Sequence, residues 1–127
     1  MGKKILPKPT ESELEILQIL WNGGSSTVKS VNEILNQKRE TGYTTTLKIL
    51  QIMNEKGLVI RNEDERSHVY SAAIDENDVQ KVLVEKLLDS AFSGSAAKLV
   101  LQALGNSKPS KDELKKIREL LNEMEKD

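Results

Sequence analysis

The chain has no cysteine and a single histidine in 127 residues. The missing thiols exclude disulfides, thiolate metal centres and cysteine nucleophiles, and one histidine cannot seed a histidine-rich metal site. No metal and no cofactor is expected. No run reaches the roughly 20 apolar residues that a membrane span needs, and Met1 to Pro9 lacks the apolar core, about 7–15 residues long, of a signal peptide. A cytoplasmic location without direct membrane insertion is the expectation. Neither sign of charge dominates: 19 Lys and Arg stand against 20 Asp and Glu, for a net charge of −1. Up to Ala73 there are 10 basic and 9 acidic residues, and beyond it 9 and 11. Any nucleic-acid contact must therefore come from a local patch of cations, which the net charge conceals. Catalytic groupings are missing as well. No nucleophile–base pair or triad stands out, and Gly23-Gly24 has neither the preceding strand nor the following Lys-Ser/Thr of a phosphate loop. The chain does not read as an enzyme.

What is present is helical periodicity. A hydrophobic fraction of 37% beside a charged fraction of 31% suits one compact domain, or a small domain with an oligomerisation element attached. Thr10 and Glu13 form a T-x-x-E capping box, and Leu14, Leu17, Leu20 and Trp21 follow at helical spacing up to Gly23-Gly24. Ser25 to Thr27 offers caps for a second, short helix carrying Val28, Val31, Ile34 and Leu35. It fades in the polar stretch Gln37 to Gly42. A third helix follows Tyr43, with Thr44 as its expected N-cap and Gly57 as its stop, about 13 residues and roughly 20 Å long. The period then changes. Leu58 to Arg61 and His68 to Ser71 are β-rich runs around the charged loop Asn62 to Ser67, which reads as a hairpin. Three helices followed by a hairpin is the order of a winged helix-turn-helix.

After Ala73 the pattern is helical again. Asp75 caps a long helix bearing Val79, Val82, Leu83, Leu87 and Leu88, which Ser93-Gly94-Ser95 breaks. The next helix, expected over Ala96 to Leu104 with Gly105 as its stop, is apolar almost all round and should be buried on most sides. The 54 residues after Ala73 cannot bury it alone, which predicts a partner chain. A final helix opens on a second capping box, Ser110 with Glu113, and sets Leu114, Ile117, Leu121 and Met124 along one face. The fold class expected is therefore mainly α with a small β-hairpin wing. A winged helix-turn-helix, DNA-binding domain is expected over residues 1–73 and a helical dimerisation domain over residues 74–127. The homodimer interface is expected from Val79, Leu83, Leu87, Leu99, Leu101, Leu104, Leu114, Ile117 and Leu121.

If the third helix reads DNA, the face opposite Leu47, Ile49, Leu50 and Met53 should carry the chemistry. That face holds Thr44, Thr45, Lys48, Gln51, Ile52 and Glu55. In a major groove Thr can meet a thymine methyl or a base edge, Lys reaches guanine or phosphate, and Gln pairs with adenine. The wing adds Arg61 and Arg66 around the acidic Glu63-Asp64-Glu65, and those arginines are the expected backbone or minor-groove contacts. Lys38 and Arg39 are weaker candidates. A protein-interaction adaptor without DNA binding is the alternative use of the same fold. His68 and Trp21 read as structural residues.

Leu14 to Trp21, Tyr43 to Leu50 and Glu55 to Val59 together resemble the penicillinase-repressor family, the BlaI/MecI/CopY group, over about Pro9 to Met124. The resemblance implies a homodimeric repressor on a palindromic double-stranded DNA operator, with TACA-like half-sites in the best-known members. By position, Thr44, Thr45, Thr46, Lys48 and Gln51 would face that operator. The β-lactam-responsive branch implies control of β-lactam resistance or cell-envelope genes, a membrane sensor metalloprotease as partner, and cleavage in the dimerisation region. The scissile position maps near Leu101-Gln102-Ala103, where Gln102-Ala103 replaces the family's Asn-Phe. The copper-responsive branch senses through C-terminal cysteines, which this chain lacks.

Overall fold

Thr10 starts the first helix through both halves of its capping box. Its Oγ1 accepts from Glu13 N at 3.2 Å, and Glu13 Oε1 accepts from Thr10 N at 2.9 Å. Residues 8–64 and 68–126 are described by a computed structural model. Helix α1 spans Glu11–Gly23, and Gly24, at φ +78°, turns the chain out of it. Thr27 caps the second helix, α2 (Val28–Asn36), by accepting from Ser30 N at 3.1 Å. Helix α3 spans Tyr43–Lys56, two residues longer at its start than the expected Thr44 cap allowed. Its N-cap is Gly42, which has no side chain to accept from the first amides of the helix. It stops at Gly57, whose φ of +82° is the left-handed conformation that glycine reaches without a Cβ penalty.

The hairpin is present as β2 (Val59–Asn62) and β3 (Val69–Ala72), antiparallel, with Arg61 opposite Tyr70. A third strand escaped the sequence reading. Ser26–Thr27, strand β1, pairs antiparallel with β3, Ser26 opposite Tyr70, so that β3 is the middle of a sheet ordered β1-β3-β2. Two residues of polar strand carry no periodicity to detect, and the pairing is fixed by a segment more than forty positions downstream.

The core lies between the helices and this sheet. Ile16, Leu17 and Leu20 of α1, Val31 and Leu35 of α2, Leu50 and Met53 of α3, and Leu58, Val59 and Tyr70 around the sheet are all buried. Each such side chain contributes about 1.5–3 kcal/mol by leaving water. Trp21 acts as a strut at the edge, its Nε1 donating to Ile74 O at 3.0 Å.

The first compact unit runs on to Leu83, past the boundary at residue 73 drawn from the sequence. It therefore takes in the start of α4 (Glu76–Ala91), where Val79 is 3% exposed. The second unit comprises the rest of α4, then α5 (Ala96–Ser107) and α6 (Lys111–Met124). Helix α5 passes through Gly105, which keeps a negative φ, and ends where Lys108 turns left-handed at φ +45°. The capping box of α6 is closed, with Ser110 and Glu113 exchanging bonds of 3.1 Å each. No side chain of α5 or α6 is buried within the chain. Among the described residues no helix is long and apolar enough to cross a membrane.

Candidate nucleic-acid interface

Helix α3 lies across the core by the stripe Thr46, Leu50 and Met53, spaced by one turn and then the next. Its other side is open. Thr44, Thr45, Lys48, Gln51 and Glu55 are exposed, and Ile52 is 39% exposed. Four of the side chains expected on a reading face, Thr44, Thr45, Lys48 and Gln51, are thus brought together on one solvent-facing surface.

Thr46 is the exception. It is fully buried, its Oγ1 accepting from Asn32 Nδ2 at 2.9 Å and donating to Gly42 O at 3.3 Å. A hydroxyl so engaged cannot also touch a base, and Thr46 is removed from the reading face. The stripe of residues 46, 50 and 53 would have revealed this had threonine been allowed a core position.

Beside α3 an open groove of about 590 Å³ brings Gln51 together with Lys29 and Thr27 at the start of α2, Tyr43 at the start of α3, and Arg61 and His68 at the wing root. Lys29, Tyr43 and His68 were not singled out as candidates by sequence reasoning. What gathers them is the β1–β3 pairing, which has no local signal. Tyr43 is 53% exposed, whereas Tyr70 is fully buried.

Arg61 is on the wing strand as expected, but its side chain is only 29% exposed and its Nη2 donates to Glu63 Oε1. That ion pair holds the Glu63 carboxyl below its ordinary range. The Nε of Arg61 is buried without a partner among the described residues. Arg66 lies outside the described residues. Lys38 is exposed, and Arg39 grips Glu15 of α1 bidentately at 2.9 and 2.6 Å, which lowers the Glu15 pKa. At the far end of α3, Lys56 Nζ donates to both oxygens of Glu13, at 3.1 and 2.8 Å. Burial pushes the Glu13 carboxyl up, but the hydrogen bonds from Lys56 and Thr10 outweigh it and leave the group below its ordinary value of 4.5.

The residues expected at a dimer interface divide in two. Val79 is buried within its own chain, which withdraws it from a surface role. Leu83, Leu99, Leu104 and Ile117 are half-buried, while Leu87 (45%), Leu101 (70%), Leu114 (38%) and Leu121 (53%) are exposed. Gln102 and Ala103 are exposed in the interior of α5.

Comparison with known proteins agrees with this arrangement. The penicillinase repressor of Bacillus licheniformis is 26% identical over 120 residues, 94% of either chain. The transcriptional regulator BlaI of Mycobacterium tuberculosis is 29% identical over 115 residues, 89% of this chain and 82% of that one. A solution structure of Bacillus licheniformis BlaI, in monomeric form in complex with the blaP half-operator, superposes with a TM-score of 0.52 at 26% identity. The match covers 60% of this chain and 93% of that one. The family described as penicillinase repressor matches residues 9–123. A winged helix-turn-helix followed by exposed apolar helices, matched over nearly its whole length, places this chain in the penicillinase repressor family.

Proposed function

We propose that this chain is a transcriptional repressor that binds a palindromic DNA operator as a homodimer in the cytoplasm and has no catalytic activity. The observation that carries the reading is the polar outer face of α3, where Thr44, Thr45, Lys48 and Gln51, residue types suited to a major groove, are all exposed. A relative, BlaI of Bacillus licheniformis, forms a complex with its half-operator, which supports duplex DNA as the partner. Arg61 lies beside that face and reaches phosphate once Glu63 yields it.

Dimerisation is supported by Leu101, Leu120, Leu121 and Met124, each more than half exposed on α5 and α6 of a single chain. Side chains of this kind at such density call for a second copy. Joining two weak readers raises affinity by about 10²–10⁴ through effective concentration. Half-site centres should then lie roughly 34–36 Å apart, or a multiple of that. A membrane sensor metalloprotease that ends repression would have to cut near Gln102-Ala103, in the middle of α5, so that helix must first unwind locally.

The test is selection of duplexes from a randomised library by the full-length chain, followed by titration at several salt concentrations. A twofold-symmetric consensus and a log-linear loss of affinity with salt are expected. Lys48→Ala should weaken binding by about 5–10-fold and lower the salt slope by about 1. No selected consensus, or a Lys48→Ala chain that binds as well as the wild type, would refute the assigned face.

A further inference from the structure

The turn from Gln37 to Gly42 is wholly polar, and nothing apolar in it dictates where α3 must begin. Side chains from the helices on either side supply that information. Asn36, at the end of α2, holds Thr41 by both backbone groups: its Oδ1 accepts from Thr41 N at 2.9 Å and its Nδ2 donates to Thr41 O at 2.9 Å. Asn32, one turn earlier, donates from its Nδ2 to the same Thr41 O at 2.9 Å and to Thr46 Oγ1 at 2.9 Å. Thr46 completes the ring by donating to Gly42 O at 3.3 Å. Two asparagines of α2 and one buried threonine of α3 thus clamp the first turn of the helix, at a start where Gly42 offers no capping side chain.

The two kinds of contact do different work. Burial of Leu50 and Met53 is non-directional and tolerates a small rotation or slide of α3 on the core. Hydrogen bonds do not, because they weaken steeply with distance and angle.

We propose that Asn32, Asn36 and Thr46 are positioning residues for DNA reading: their clamp sets the axial start and rotation of α3, and hence which exposed side chain meets which base. The inference rests on the DNA-binding reading above. None of the three needs to touch DNA. The clamp acts on sequence discrimination more than on affinity for DNA in general, since phosphate contacts survive a small rotation and base-edge contacts do not.

The test uses the full chain and two probes: a duplex that the wild type selects from a randomised library, and a scrambled duplex of the same composition. The readout is the ratio of the two affinities, with the thermal midpoint measured in parallel. Asn36→Ala and Thr46→Val, the latter close in shape to threonine, should lower the ratio about tenfold while binding to the scrambled duplex stays within about twofold. Thr46→Ser, which keeps the hydroxyl, should retain the wild-type ratio. A purely structural role would lower both affinities together through the folded fraction, so an unchanged ratio in Asn36→Ala and Thr46→Val overturns the inference alone. A wild-type chain that selects no duplex overturns the DNA-binding reading and the clamp with it.

Discussion

The ion pair between Glu13 and Lys56 ties the first turn of α1 to the last turn of α3, and its removal gives a measurable loss of stability. Glu13 has two duties there. It closes the capping box with Thr10, and it takes two hydrogen bonds from Lys56. A lost cap costs about 1 kcal/mol. A hydrogen bond to a charged group is worth about 1.5–3 kcal/mol when sheltered, and an exposed ion pair about 0.2–1 kcal/mol. Here the Glu13 side chain is 5% exposed but Lys56 is 38% exposed, which places the pair near the lower range. About 1 kcal/mol is therefore assigned to it.

Glu13→Ala removes both duties and should cost about 2 kcal/mol, a fall of roughly 10 °C in thermal midpoint for a unit of this size. Glu13→Gln keeps an acceptor for Thr10 N, so it isolates the ion pair and should cost about 1 kcal/mol. A cycle of Glu13→Gln with Lys56→Met, followed by urea unfolding of the full chain at one fixed protein concentration, measures the coupling. Because folding lowers the Glu13 pKa, the ionised carboxylate adds stability that is fully present above 4.5 and drains away as pH falls through the folded-state value. The coupling should be present at pH 7 and diminish at an acid pH well below 4.5. Zero coupling at pH 7, or the same coupling at both pH values, would refute the assignment.

Gly57→Ala forces a Cβ into φ +82°, yet that Cβ would meet nothing within 4 Å, so the cost is conformational only. About 1–2 kcal/mol of stability should be lost without any change in fold, as read by circular dichroism and thermal melting. Leu101 is 70% exposed in the single chain, so Leu101→Asp should leave the fold intact and yield monomers. Sedimentation that finds dimers would remove α5 from the interface. Glu63→Gln releases the Arg61 guanidinium and takes one negative charge from the wing, so affinity for a selected duplex should rise about 2–5-fold with a steeper salt dependence. Unaltered affinity in a band-shift titration would take Arg61 off the contact surface.

Much of this architecture could be read from the residues because the signals were local. Thr10 with Glu13, Ser110 with Glu113, and Gly57 after an amphipathic run each bring their own partner within four positions, and all three mark real helix ends. The misses are non-local. Strand β1 exists only because β3 lies against it. Thr46 is buried because Asn32 satisfies its hydroxyl from another helix, which makes a polar residue admissible in an apolar stripe. Val79 was grouped with the leucines that follow it, although α4 buries its first turns in one unit and leaves the rest to another. Gly105 was taken as a stop, but glycine ends a helix only where the backbone turns to positive φ, and here it does not. The exposed polar face of α3 was legible, since a polar stripe opposite an apolar one needs nothing beyond the period of the helix.

The sheet order β1-β3-β2 has a mechanical corollary. The strand leading directly into α2 is hydrogen-bonded to the wing's inner strand, so the wing is stitched to the helix-turn-helix at its base and has no hinge of its own there. The reading head works as a die and not as a hand. Anchored at its root, the wing resists closing around a duplex of different width. Tolerance to groove shape or to half-site spacing must then be supplied by bending of the DNA or by the chain beyond Leu83.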